Sequence, residues 1–375
     1  MRRFTCQCQT DQPLFFENDR CLSCGREAGW CFQQQDMLVT EATKTPGLLQ
    51  WQTQLYCRCA NHAQGACNAL VAVEPDYDPA TPVLCFACHF NQNIPDLSIP
   101  GHADLWSNLE QAKRRLLYTL MALDLPLPDK QQSPQGLSFH FLSDKDAADH
   151  FRTPLTHMGA VFTGHSQGDI TINLAEADDV ARHRMRVSMG EQYRTLLGHF
   201  RHEIGHFYWD LLIRDNPELL SRFTGLFGDP DLSYQAALDA HYQRDPADTS
   251  WQMSHISAYA TMHPWEDWAE TFSHYLHMID TLETARSWEI RSHMGLRDET
   301  TASVADMALP QDGPGTYGIG DILDNWLHLS VILNALNRSM GQDDAYPFVV
   351  VEPVQEKLAF VHEVLLGARV HSSVG

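Results

Sequence analysis

The stretch Gly198-His199-Phe200-Arg201-His202-Glu203-Ile204-Gly205-His206-Phe207 decides the reading of this chain. It carries HExxH inside an apolar run whose spacing is helical. Two histidines four residues apart lie on one helical face, one turn from each other, so His202 and His206 can offer imidazole nitrogens to a single zinc ion. Glu203, beside them, is placed to accept a proton from a metal-activated water, whose pKa zinc lowers toward ~7. Leu196, Leu197, Phe200, Ile204, Phe207, Leu211 and Leu212 form the apolar stripe, which predicts a helix from about Gly190 to Asp215. Gly205 inside it costs up to ~1 kcal/mol relative to alanine, which points to a close approach at that position. His199, Arg201 and Asp210 flank the motif as supporting residues.

A catalytic zinc takes three protein ligands and leaves one position open, so a third donor is required. Met262-His263-Pro264-Trp265-Glu266-Asp267-Trp268-Ala269-Glu270 supplies it, with Pro264 suited to a first helical turn. Glu266 and Glu270 share a face. Glu266 is the expected ligand, and Glu270 supports a ligand histidine or takes the ligand's place; His255, His263, His274 and His277 are the remaining alternatives. Hydrolysis also needs a donor for the oxyanion. Tyr259, seven residues before Glu266, is assigned that part, with His255, His263 and Tyr275 as alternatives.

All ten cysteines lie within the first 88 residues. Cys6, Cys8, Cys21 and Cys24 have the spacing of a zinc ribbon closed by two knuckles. Cys59, Cys67, Cys85 and Cys88 make a second set, with Cys57 as an alternative to Cys59, and Cys31 fits neither. Four thiolates per ion leave no position for water, so both sites are expected to be structural. A disulfide scaffold is the competing reading, and the N-terminus Met1-Arg2-Arg3-Phe4-Thr5-Cys6 lacks the apolar core of a secretory signal that would favour it. A ribbon of about 35 residues buries too little apolar surface to fold without such closure.

These motifs sit in longer runs: Phe15-Phe16-Glu17-Asn18, Ile94-Pro95-Asp96-Leu97-Ser98, Tyr193-Arg194-Thr195-Leu196-Leu197 leading into the metal motif, His263 to Glu270, and Asn337-Arg338-Ser339-Met340-Gly341. Over nearly its whole length the chain resembles the bacterial zinc-binding metallopeptidases that carry N-terminal zinc ribbons. The resemblance implies a zincin-like peptidase in which His202, Glu203 and His206 carry over directly. Cys6-Gln7-Cys8 in place of a CxxC, and the extra Cys57, depart from the family pattern.

The expected fold is α+β: tandem zinc ribbons over residues 1–93 (about 1–35 and 50–93), then a mainly helical zincin-like peptidase domain with a small sheet over 94–375. Ala103 to Leu123, Ile322 to Leu336 and Val354 to Leu366 read as helices, and Leu137 to Leu142 and Ile170 to Leu174 as strands. The polar segment Asp229 to Ser250 is expected over the cleft. Lys113-Arg114-Arg115 reads as a solvated helix face. With 26 basic against 48 acidic residues the net charge is −22, which repels phosphate backbones, and no run reaches the length of a membrane span. The function read from the sequence is zinc-dependent peptide-bond hydrolysis in the cytoplasm, with one catalytic and two structural zinc ions and a peptide or protein substrate. A ribbon-guided nucleic-acid-associated protease and a noncatalytic zinc-stabilised interaction protein are the alternatives; the acidic charge weighs against the first and the retained Glu203 against the second.

Overall fold

The computed structural model describes residues 1–143, 163–188, 195–243, 245, 248–290 and 318–369. They are α+β and divide into two compact units: one of residues 1–118, 129–164 and 169–178, the other of residues 119–128, 165–168 and 179–375.

The first unit is built from short strands. β1 (Phe4–Thr5) pairs antiparallel with β2 (Pro13–Leu14), and β3 (Ala28–Cys31) with β4 (Asp36–Val39). β5 (Glu41–Ala42), β6 (Leu49–Trp51), β7 (Gln54–Arg58) and β8 (Leu70–Val73) form an antiparallel meander. After a single helical turn, α1 (Phe86–His89), strand β9 (Asn91–Asn93) pairs in parallel with β10 (Ser138–Leu142). Across β10 lies β11 (Asp169–Asn173), also parallel. Strands this short bury little, so aromatic packing carries the core: Trp30 is 2 % exposed and meets the rings of Phe4, Phe16, Phe32 and Tyr118 at 5.0–6.1 Å.

Helix α2 (His102–Ala122) matches the expected amphipathic helix within a residue at each end; on its apolar side Leu109, Ala112, Leu116 and Leu120 are buried and Leu105 is half-buried. Its basic run corrects the sequence reading. Lys113 is fully buried and Arg114 nearly so. The Lys113 ammonium donates to Glu110, itself fully buried, at 2.9 Å, and lies 5.6 Å from the rings of Phe139 and Phe141. Arg114 donates to Asn68, whose amide in turn donates to the backbone carbonyls of Phe16 and Asn18 at 2.7 and 2.9 Å. Only Arg115, paired with Glu17 at 2.6 Å, keeps substantial exposure. Lys113 is neutralised by Glu110 one turn before it, whereas Asn68 and Glu17 lie 46 and 98 residues from Arg114 and Arg115, distances that helical periodicity does not span.

The second unit is mainly helical. α3 (Asp179–Ser188), α4 (Leu196–Leu212), α5 (Pro217–Phe227), α6 (Tyr234–Tyr242), α7 (Pro264–Ser287), α8 (Ile319–Ser339) and α9 (Glu352–Ala368) are its helices among the described residues. α8 and α9 extend the expected helices by a few residues at each end. Residues 190–194 of the expected metal-motif helix lie outside the described residues, and α4 begins where Thr195 caps it, its hydroxyl accepting from the Gly198 amide at 3.0 Å. α4 and α7 cross at Gly205, where an added Cβ would stand 3.0 Å from the Ala269 Cα. The close approach anticipated at this glycine is the contact that brings the two motif-bearing helices together. No helix among the described residues is long and apolar enough to cross a membrane.

Candidate metal centre

Helix α4 buries the face that carries Phe200, Arg201, Glu203, Ile204, Gly205, His206 and Phe207. On α7, Pro264 occupies the first turn and His263 caps it, its side chain accepting from the Trp265 amide at 3.1 Å. Two further bonds lock the helices in register: Trp268 Nε1 donates to the Gly205 carbonyl at 2.8 Å, and Ser273 Oγ to the Gly198 carbonyl at 3.2 Å. Arg201 points away from the motif and pairs with Asp280, which also accepts from Thr119 at 2.5 Å. It supports the helix pair and takes no place among the donors.

At the crossing, Nε2 of His202, Nε2 of His206 and Oε2 of Glu266 converge. The two imidazole nitrogens are 3.2 Å apart, and the carboxylate oxygen stands 2.9 Å from the first and 3.5 Å from the second. Tetrahedral zinc with bonds of ~2.0 Å sets its donors about 3.3 Å apart, so this triad has the spacing and the donor types that zinc takes. Glu270 stands one layer out. Its Oε1 accepts from His202 Nδ1 at 2.8 Å, while its Oε2 accepts from Ser257 Oγ at 2.6 Å. With a metal at the triad, that bond would keep the proton on Nδ1 and leave Nε2 of His202 to ligate. His206 is oriented differently: its Nδ1 has no hydrogen-bond partner among the described residues, and the ring lies 3.7 Å from that of Trp265.

The electrostatics favour positive charge at this point. Burial pushes the His202 imidazolium down, but the carboxylates of Glu266 and Glu270 outweigh it and hold His202 well above its ordinary pKa. Burial likewise pushes Glu266 up, and the two histidines overcome it to leave the carboxyl well below its usual range. Glu270 sits at about 2, because contact with His202 exceeds the cost of its burial. His206 is lowered, chiefly by burial.

Glu203 is 8 % exposed, and its charge acts on both Tyr234 and Tyr259. Tyr259 belongs to a short 3₁₀ turn, Tyr259–Thr261, with its ring centre 5.8 Å from that of His202. Burial, then the charge of Glu266, raises its phenol well above the ordinary value, so it stays a hydrogen-bond donor at neutral pH. Of the alternatives, His263 is occupied as a helix cap, His274 donates to or accepts from Tyr346 at 2.8 Å, and Tyr275 does so with His362 at 2.8 Å. His255 lies 3.7 Å from Asp267. None of these four is in the triad. Sequence reasoning missed Tyr234, Ser257 and Trp265. Tyr234 is 32 residues from Glu266, the carboxylate to which it donates at 2.9 Å, and no periodic signal spans that distance.

The cysteines gather into two sets of four, Cys6, Cys8, Cys21 and Cys24, and Cys59, Cys67, Cys85 and Cys88, each with its sulfurs within 4.8 Å of one another. All ten are free thiols. Sulfur separations of 3.7 Å occur in both sets, for Cys6 with Cys24 and for Cys67 with Cys85, against about 3.8 Å for thiolates ~2.3 Å from one zinc. The second set is wholly buried, and amides of Ala69 and Cys85 donate to the sulfurs of Cys67 and Cys59, each at 3.4 Å. In the first, Cys24 is exposed and Arg26 donates to its sulfur at 3.5 Å. Cys57 stands outside, 3.8 Å from the Tyr77 hydroxyl, and Cys31 is buried in the core around Leu38 and Tyr56.

Residues 102–364 match the protein family described as "Putative zinc-binding metallo-peptidase", and residues 3–99 match a zinc-ribbon domain. The chain is 43 % identical over 369 residues to proteins named as uncharacterized from Mycobacterium bovis and from strains of Mycobacterium tuberculosis, covering 97 % of this chain and 95 % of each relative. No solved structure matches it.

Proposed function

From a chain that belongs to the zinc-binding metallopeptidase family and carries an N-terminal zinc-ribbon domain, we propose a peptide-bond hydrolase whose centre is His202, His206 and Glu266. The convergence of two Nε2 atoms and one carboxylate oxygen within 3.5 Å, with Glu203 adjacent on the same helix, is the observation that carries this reading. Zinc held by these three donors would supply a Lewis acid that polarises the scissile carbonyl and acidifies water. Glu203 accepts a proton from the attacking water at its carboxylate and returns it to the leaving amine nitrogen. Glu270 holds the proton on Nδ1 of His202. Tyr259, kept as a neutral phenol by burial, donates toward the carbonyl oxygen as that atom gains charge. The two cysteine sets hold one structural zinc each, giving three ions per chain. In this reading residues 1–93 form the ribbon region and 94–375 the peptidase domain. Ten thiols reserved for metal or core suit a reducing compartment, and the proposal includes a cytoplasmic location.

Metal content by mass spectrometry tests the centre. Wild type is expected to hold three zinc ions, His202→Ala and Glu266→Ala two each, and Glu203→Gln three. Two ions in wild type, unchanged by either alanine, would sink the proposal.

A further inference from the structure

The two carboxylates of the α7 pair are held in the same way by different groups. Each presents one oxygen to His202 and gives the other to a neutral hydroxyl: Ser257 Oγ donates to Oε2 of Glu270, and the Tyr234 phenol donates to Oε1 of Glu266 at 2.9 Å. Ser257 lies 8 % exposed beside its partner, whereas Tyr234 comes from a helix otherwise turned to solvent. α6 exposes Gln235, Ala236, Asp239 and Ala240, and Tyr234 itself is 40 % exposed, yet its hydroxyl reaches a carboxylate that is 2 % exposed. The chain before it is fixed as well, since His263 donates from Nε2 to the Leu232 carbonyl at 3.0 Å and its ring centre lies 5.5 Å from that of Tyr234. The charge of Glu266 acts on the phenols of both Tyr234 and Tyr259.

We propose that Tyr234 is a positioning residue for the metal centre: by holding Oε1 of Glu266, its phenol makes the carboxylate present Oε2 alone to the site. A carboxylate with both oxygens free can rotate or turn both toward a cation. One with an oxygen tied to a phenol keeps a single donor in place, which preserves a three-ligand set and its open position. This inference rests on the reading in which Glu266 is a ligand.

The test uses the full chain with both cysteine sites zinc-loaded, the third site emptied by a chelator and refilled with Zn²⁺ or Co²⁺. Tyr234→Phe is expected to weaken Zn²⁺ binding at the third site by about 10–100-fold in a chelator competition. Its Co²⁺ visible bands should also fall in intensity, as they do when coordination rises above four. Wild-type affinity and an unchanged Co²⁺ spectrum in Tyr234→Phe would overturn the inference, as would a lowered unfolding midpoint of the metal-free variant with the spectrum unaltered. Glu266→Ala separates the two claims: if it loses the third metal while Tyr234→Phe behaves as wild type, the centre stands and the positioning role falls. If Glu266→Ala keeps the metal at full affinity, both fall.

Discussion

Strands of two to five residues surround the cysteine sets of the first unit, while helices of 17 and 24 residues carry the triad of the second. The buried cysteine set draws on loops and one turn of helix spread over 30 positions, from Cys59 to Cys88. It has four donors and no side left for water. The triad draws on one turn of α4 and one residue of α7, and Glu203 lies beside it without joining it. In the ribbons the ion is therefore part of what folds the chain, whereas the helix pair is assembled by Trp268, Phe272, Phe200 and Phe207, all fully or nearly fully buried. A closed donor set supplies fold. An open set needs a fold supplied to it.

The largest expected effect is a direct attempt to break this contrast. Removing all metal with a strong chelator should unfold the ribbon region, because structural zinc contributes on the order of 10 kcal/mol to small zinc-closed folds. Limited proteolysis is then expected to cut within residues 1–93 and to leave α4 and α7 intact. Cys85→Ser should reproduce the loss locally. Cleavage within α4 and α7 at the same rate would erase the distinction drawn between the two regions.

Glu203→Gln should divide function from fold inside the second region. The amide keeps the shape of the side chain and cannot take a proton, so peptidase activity should fall by about 10²–10⁴-fold, or roughly 3–5 kcal/mol in the barrier. Zinc content and unfolding midpoint should match wild type, because the carboxylate lies outside the triad. Loss of the third metal in this variant would make Glu203 a ligand and close the site.

Acid should find the helical region through His274. Burial holds this imidazole down at about 4, against the partial opposition of Glu270, while Arg201 adds to the lowering. Its ring lies 4.4 Å from that of Phe348 and its Nδ1 is bonded to Tyr346. The folded state thus favours the neutral ring. Its contribution is complete above the unfolded value near 6.5 and is lost as pH falls from there toward 4, a total of roughly 3 kcal/mol. Denaturant melts across that window should steepen in wild type relative to His274→Gln. Parallel curves for the two proteins would remove His274 from the account.

What the sequence disclosed follows the same division. HExxH is local, and a helix turns local spacing into geometry, so the convergence of His202 and His206 one turn apart, with Glu203 adjacent, could be read directly. The two cysteine sets were legible because thiols cluster in few positions, and their spacing excludes most groupings; Cys57 was ambiguous only because it is two residues from Cys59. Tyr234 and Ser257 were not legible. Each acts through one hydroxyl on a carboxylate 32 or 13 residues away, in a segment whose polar composition suggests only surface. Lys113 and Arg114 misled for the opposite reason: charge in a helix reads as solvent exposure, and although Glu110 stands one turn before Lys113, helical spacing shows neither the burial of that pair nor Asn68, 46 residues from Arg114. Of the described residues from Asp229 to Ser250, Tyr234 bonds Glu266 and His241 has its ring centre 5.7 Å from that of Tyr259.

The smallest expected effect tests whether helix packing sets the metal geometry. At Gly205 an alanine methyl would meet the Ala269 Cα at 3.0 Å and the Phe272 Cβ at 3.2 Å, and a backbone carbon cannot move aside as a side-chain tip can. Alanine improves helix propensity by up to ~1 kcal/mol, while overpacking of this kind costs about 1–3 kcal/mol, so Gly205→Ala should lose on the order of 1 kcal/mol in net stability. The unfolding midpoint would fall by roughly 2–4 °C for a unit of this size. Relief of the clash requires α4 to shift from α7, which parts His202 and His206 from Glu266, whose donors now stand 2.9 and 3.5 Å away. Zinc affinity at the triad should therefore drop while both cysteine sites remain loaded. A variant with the lowered midpoint and undiminished affinity would mean that the triad adjusts to the helices, and that its spacing is held by the ligands' own hydrogen bonds instead.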